Sequence, residues 1–105
     1  MTEISEQFED SLNKLKSIYR FKLKEEIPYF ESILKEPFTK ELLEDLRMKV
    51  HKLSGSAGMY GFLELSTITH EFDIQLQEIL KTDFTPHVNV IKDHISGIIK
   101  VIKII

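Results

Sequence analysis

The chain carries four histidines, His51, His70, His87 and His94, and no cysteine, so any nucleophilic side-chain chemistry falls first to imidazole. His51 has the most unusual surroundings. It directly follows Val50, and successive helical residues are about 100° apart. If Leu46, Val50, Leu53 and Ala57 form a buried stripe, His51 points away from it. Arg47 and Met48 lie one turn before it on that side, Ser54 and Gly55 one turn after, and Gly58 two turns after. Each exposed glycine costs a helix about 1 kcal/mol relative to alanine. A sequence that accepts that cost leaves a face bare of side chains, over which another protein's active site can approach the imidazole. Histidine ordinarily titrates near 6.5, so at cellular pH a neutral ring nitrogen is available as a nucleophile.

The other histidines lack such company. His87 and His94 are seven residues apart on one face, but no carboxylate at three- or four-residue spacing completes a metal set; His70 with Glu71 and Asp73 is equally incomplete. No metal site is expected. The acidic runs Glu3 to Asp10 and Glu41 to Asp45 read as solvated helix faces.

The elements that must hold His51 are helical. Ile4, Phe8, Leu12, Leu15, Tyr19, Leu23, Ile27, Phe30 and Leu34 recur every three or four residues, one apolar stripe along a long amphipathic segment. Pro28 removes an amide donor and crowds the carbonyl of Lys24, which predicts a kink, or two helices meeting, near Glu25 to Pro28. Pro37 closes the segment. Thr39 is the expected N-cap of the next helix, with Glu41 and Glu44 near its positive end and Leu43, Leu46, Val50, Leu53, Ala57 and Tyr60 as its stripe. Gly55, Gly58 and Gly61 weaken that helix, and a turn falls close to Gly61. A third helix is expected from Phe62 to Lys81, burying Leu65, Ile68, Phe72, Leu76 and Ile79. Thr85 and Pro86 read as N-cap and first-turn residue of a last helix, whose seam is Val88, Ile91, Ile95, Ile98, Ile102 and Ile105. The β-branched tail IIKVIKII also suits a strand. A lone strand would have no partner, so helix is preferred. The expected fold is all-α, an antiparallel up-down-up-down four-helix bundle with a proline-kinked N-terminal helical segment.

Composition narrows the function. With 105 residues the chain fits one domain, expected to span 1–105, with no linker or internal repeat. A net charge of −3 offers no basic excess to neutralise nucleic-acid phosphates. The C-terminal apolar run Ile95 to Ile105 is interrupted by Lys100 and Lys103 and is shorter than the roughly 20 residues of a membrane span. The acidic N-terminus lacks the basic and apolar regions of a signal peptide, so the cytoplasm is the expected location. A free-standing protein and a domain of a larger kinase both stay open from the sequence, with Met1 favouring the former only mildly.

Met48 to Phe62, MKVHKLSGSAGMYGF, resembles the signature of the histidine-containing phosphotransfer (HPt) domains of two-component phosphorelays. The family pattern is His-x-Leu-Lys-Gly, a small-residue stretch, then Gly six positions after the first. His51, Leu53, Gly55 and Gly61 match it, and Ser56, Ala57 and Gly58 match its small-residue stretch. The proline-interrupted first helix and amphipathic third helix fit more loosely, and the Leu-Glu pair usual in the third helix stands here as Phe72-Asp73. One departure is chemical. Where the family has a lysine three residues after the histidine, this chain has Ser54, which offers a hydrogen bond but no charge. Arg47, one turn before His51, is the candidate replacement cation; Lys52 lies about 100° off that face.

The resemblance implies that His51 accepts a phosphoryl group from an aspartyl phosphate of a response-regulator receiver domain and relays it to another receiver, with a hybrid histidine kinase as a further partner. It implies Ser54 and Arg47 near the phosphate, and a docking face of Met48, Lys52, Gly55 and Gly58. The magnesium is expected on the receiver, and no cofactor on this chain. Such a protein is a monomeric carrier with no turnover of its own, touching neither nucleic acid nor membrane. The alternative is a degenerate HPt-like bundle that docks receivers or kinases without carrying phosphate, which the missing lysine keeps open. A di-metal bundle enzyme would need paired Glu-x-x-His motifs, and the sequence has none.

Overall fold

The structure, a computed structural model, describes residues 2–105, with side chains from Ser5 onward; Ile4 of the predicted stripe lies outside the described side chains. Helix α1 spans Thr2–Glu25 and α2 spans Ile27–Lys35, the two meeting at Glu26. There the Glu26 amide falls back to Leu23 O at 3.0 Å, an i→i+3 bond. Pro28 occupies the first turn of α2, where its missing N–H costs nothing. Glu36, forced extended by Pro37, ends α2.

Helix α3 spans Lys40–Met59 and starts as the sequence predicts, with Thr39 Oγ1 accepting from the Leu42 amide at 3.1 Å. Its end is a Schellman turn. Gly61 takes φ +82°, its amide donates to Gly58 O, and the Phe62 amide donates to Ala57 O at 2.9 Å. Helix α4 spans Leu63–Ile79, about two residues shorter at its C-terminal end than periodicity suggests. Thr85 and Pro86 do not begin the last helix. They open a 3-10 turn over Thr85–His87, with Asp83 Oδ1 accepting from the Thr85 amide and hydroxyl, and α5 spans Val88–Ile104. A proline in the first turn suits either helix type, so the sequence pair fixed the place of the turn and not its kind.

The four helical columns, α1 with α2, then α3, α4 and α5, pack around one core. Leu43, Leu46, Val50, Leu53 and Ala57 of α3 meet Leu65, Phe72, Leu76 and Ile79 of α4 and Ile91, Ile95, Ile98 and Ile102 of α5. Phe30 and Ile33 enter from α2. The IIKVIKII tail is helical, and no strand occurs among the described residues. The exception is α1, in which Leu23 alone is fully buried among the described residues. Phe8, Leu12 and Leu15 belong to the predicted stripe but are exposed. The 24-residue helix is about 36 Å long and runs past the end of the bundle, giving a molecule 57 Å by 23 Å by 19 Å.

Candidate functional site

Small residues bring α3 and α4 together. A Cβ on Gly58 would sit 3.0 Å from Ser66 Oγ, so glycine is what permits this approach. One turn earlier, Ser66 Oγ donates to Ser54 O at 3.0 Å while Ser54 Oγ donates to Ser66 O at 3.3 Å. Held at that spacing, α4 carries Asp73 to the side of His51. Asp73 is a carboxylate on a buried face: with Thr69, Phe72 and Leu76 it repeats at helical spacing and is only 3% exposed.

His51 Nδ1 lies 2.8 Å from Asp73 Oδ2, while 66% of the His51 side chain remains open to solvent. The other oxygen, Oδ1, accepts from Arg47 Nη1 and from Gln77 Nε2, both at 3.4 Å. Burial pushes the Asp73 pKa up, but the hydrogen bonds from His51, Gln77 and Arg47 and the charge of His51 outweigh it, leaving the carboxyl below its ordinary value. Asp73 is therefore ionised and can only accept. In the neutral form of the imidazole the proton therefore sits on Nδ1, facing the carboxylate, and the Nε2 lone pair faces outward. A carboxylate behind an imidazole fixes its tautomer and orientation, and stabilises positive charge that develops on the ring.

The other residues singled out in the sequence are distributed around this pair. Arg47 is part of the cluster, its guanidinium shared between Asp73 and the sulfur of Met48. Met48 is half exposed beside it. A Cβ on Gly55 would meet nothing within 4 Å, so the face one turn beyond His51 is open. Gly58 faces α4, and the Ser54 hydroxyl is engaged with the α4 backbone. Lys52 lies on the opposite flank, in a groove between α1 and α3 with Tyr19, Lys22 and Lys49. His94 stacks on Phe72 at 4.8 Å, and among the described residues no group of three or more potential ligands could hold a metal ion. Sequence reasoning noted Asp73 at the family's Leu-Glu position and in an incomplete set with His70 and Glu71, missed its partnership with His51, and missed Gln77 altogether. The available signal was an acid placed between Phe72 and Leu76 on an otherwise apolar stripe.

Fold and site together define a class: an all-α bundle that holds one histidine, anchored from behind by a buried carboxylate, open to a macromolecular partner. The Hpt domain family matches residues 1–99, and the chain belongs to that family. Hpt domains perform histidine phosphotransfer in two-component phosphorelays, as phosphocarriers that interact with receiver domains and histidine kinases. Comparison with curated proteins and with solved structures returns no match. Among the described residues no helix is long and apolar enough to cross a membrane.

Proposed function

We propose that His51 Nε2 is the phosphoryl acceptor, taking the group from an aspartyl phosphate of one receiver domain and passing it to another. The observation that carries this is the Asp73 carboxylate on Nδ1, which leaves a fixed and solvent-open nucleophile on the other side of the ring. The N–P bond forms as the receiver's acyl P–O bond breaks in line, and the released carboxylate stays on the receiver. Positive charge on the ring is met by Asp73 through the Nδ1 proton. Arg47, which shares the Asp73 carboxylate with His51, is the cation that would stand in for the lysine that Ser54 replaces. The divalent cation that balances phosphate charge belongs to the receiver. The bundle contributes position, the larger part of what phosphoryl transfer requires. Met48, Lys52 and Gly55 form the docking face around His51, and Gly58 serves it by setting the α3–α4 distance. The protein then works as a carrier with no turnover of its own, in the cytoplasm with its receivers.

Incubation with a receiver carrying labelled aspartyl phosphate tests this. Acid-labile, alkali-stable label on the wild type, lost in His51→Gln, is the expected result. Measurable docking with no label on the wild type would instead identify a degenerate module that binds receivers without carrying phosphate.

A further inference from the structure

Every residue from Ser5 to Leu15 is exposed, although this part of α1 continues the apolar stripe that the bundle buries further on at Leu23. Phe8, Leu12, Leu15 and Ile18 leave 68, 41, 49 and 54% of their surface in water. A lone helical stretch of this length is marginal in water, and apolar side chains in register along it call for a cover. The charges of α1 say what the cover is. Glu3, Glu6, Glu9 and Asp10 occupy its first part with no cation among them; Lys14, Lys16, Arg20, Lys22 and Lys24 follow with no anion until Glu25. Laid antiparallel on a copy of itself, the acidic part of each helix meets the basic part of the other. Laid parallel, like would face like.

We propose that the projecting part of α1 pairs antiparallel with α1 of a second copy of this chain, forming a two-fold symmetric dimer. Phe8, Leu12, Leu15 and Tyr19 are spaced four, three and four residues apart, the 3.5-residue seam of a two-helix coiled coil. The axis passes between Leu12 and Leu15, so Leu12 of each copy layers on Leu15 of the other, and Phe8 on Tyr19. Tyr19 is already fixed to its own bundle, its ring stacked on Tyr60 at 4.5 Å and on Phe62 at 5.7 Å and its hydroxyl paired with Ser56 at 2.7 Å. Only its remaining exposed part is left for Phe8 of the second copy. In that register Glu9 flanks Lys16 of the second copy, twice by symmetry. Neither makes an ion pair among the described residues, although Lys16 Nζ lies 5.4 Å from the centre of the Phe62 ring of its own chain. The tip of the second copy comes to lie by the α3–α4 turn, where Met59 and Leu63 leave further apolar surface exposed. The inference is independent of the phosphotransfer reading.

Sedimentation velocity of the full chain from low to high micromolar concentration tests it. The mass should rise from 12.3 kDa toward twice that value. Leu12→Glu should stay monomeric throughout and, at low concentration where the wild type is also monomeric, should melt at the wild-type temperature, because Leu12 supports no part of the bundle. Glu9→Lys should weaken the dimer roughly tenfold by setting like charges together, and the double variant Glu9→Lys with Lys16→Glu should restore it. A wild type that stays at 12.3 kDa, a dimer indifferent to Leu12→Glu, or a double charge reversal that fails to rescue would each overturn the proposal.

Discussion

At the scale of single residues, the exposed ring of His51 depends on a group that solvent hardly reaches. Asp73 accepts three side-chain hydrogen bonds, and its ionised form is what makes Nδ1 the donor. Asp73→Asn keeps the shape but offers an N–H to Nδ1, which moves the ring proton to Nε2 and removes the nucleophilic lone pair. Transfer from a phosphorylated receiver should fall by about 10²-fold, with the tautomer change visible in the ¹⁵N shifts of the ring. An unchanged rate would mean that Asp73 only packs. The same carboxylate ties stability to pH. Its folded pKa lies below the ordinary value, so its contribution is present above about pH 4 and is lost as pH falls through the folded value. Urea unfolding of the wild type should therefore weaken more steeply on acidification below about pH 4 than that of Asp73→Asn.

At the scale of elements, the three glycines near His51 are three different devices. Gly61 supplies a left-handed turn, and Gly61→Ala should cost about 1–2 kcal/mol by chemical denaturation. Gly58 supplies contact between helices. Gly58→Val should cost about 1–3 kcal/mol by overpacking, and should slow transfer by moving Asp73 away from His51. Gly55 supplies neither, since a methyl there meets open space. Gly55→Ala should stabilise the fold by up to about 1 kcal/mol, whereas a large polar residue at 55 should hinder receiver binding without lowering the melting temperature. A loss of stability in Gly55→Ala would show that the open face is in fact packed. The sequence read Gly55 and Gly58 as a bare face and Gly61 as a turn. That Gly58 instead lies against α4 was not legible, because it depends on what the opposite helix places beside it.

At the scale of the whole molecule, burial divides the chain into a bundle and a projecting helix. Phe72 lies at the centre with no exposed surface, and Phe72→Ala should cost about 3–5 kcal/mol in a thermal or urea transition. Leu12 on the projection should be silent in the same transition at concentrations where the chain is monomeric. The two parts thus answer to different measurements, one to unfolding and the other to association. The continuous stripe from Phe8 to Phe30 gave no warning of this division, since periodicity reports which face of a helix is apolar but not how far along it the core extends.

The sequence by itself determined the helices, the apolar stripe along each and the place of His51 off the α3 stripe beside an open face. Those follow from spacing, capping residues and side-chain size, which act within a few residues of chain. Tertiary structure alone decided the rest. Asp73 meets His51 because Gly58 and Ser66 let α3 and α4 approach, and 22 residues of chain separate the two groups. Arg47 turns to that carboxylate, and Ser54 to the α4 backbone, for the same reason. The state of the imidazole, and therefore which nitrogen is free to react, is set by a partner that local sequence does not place.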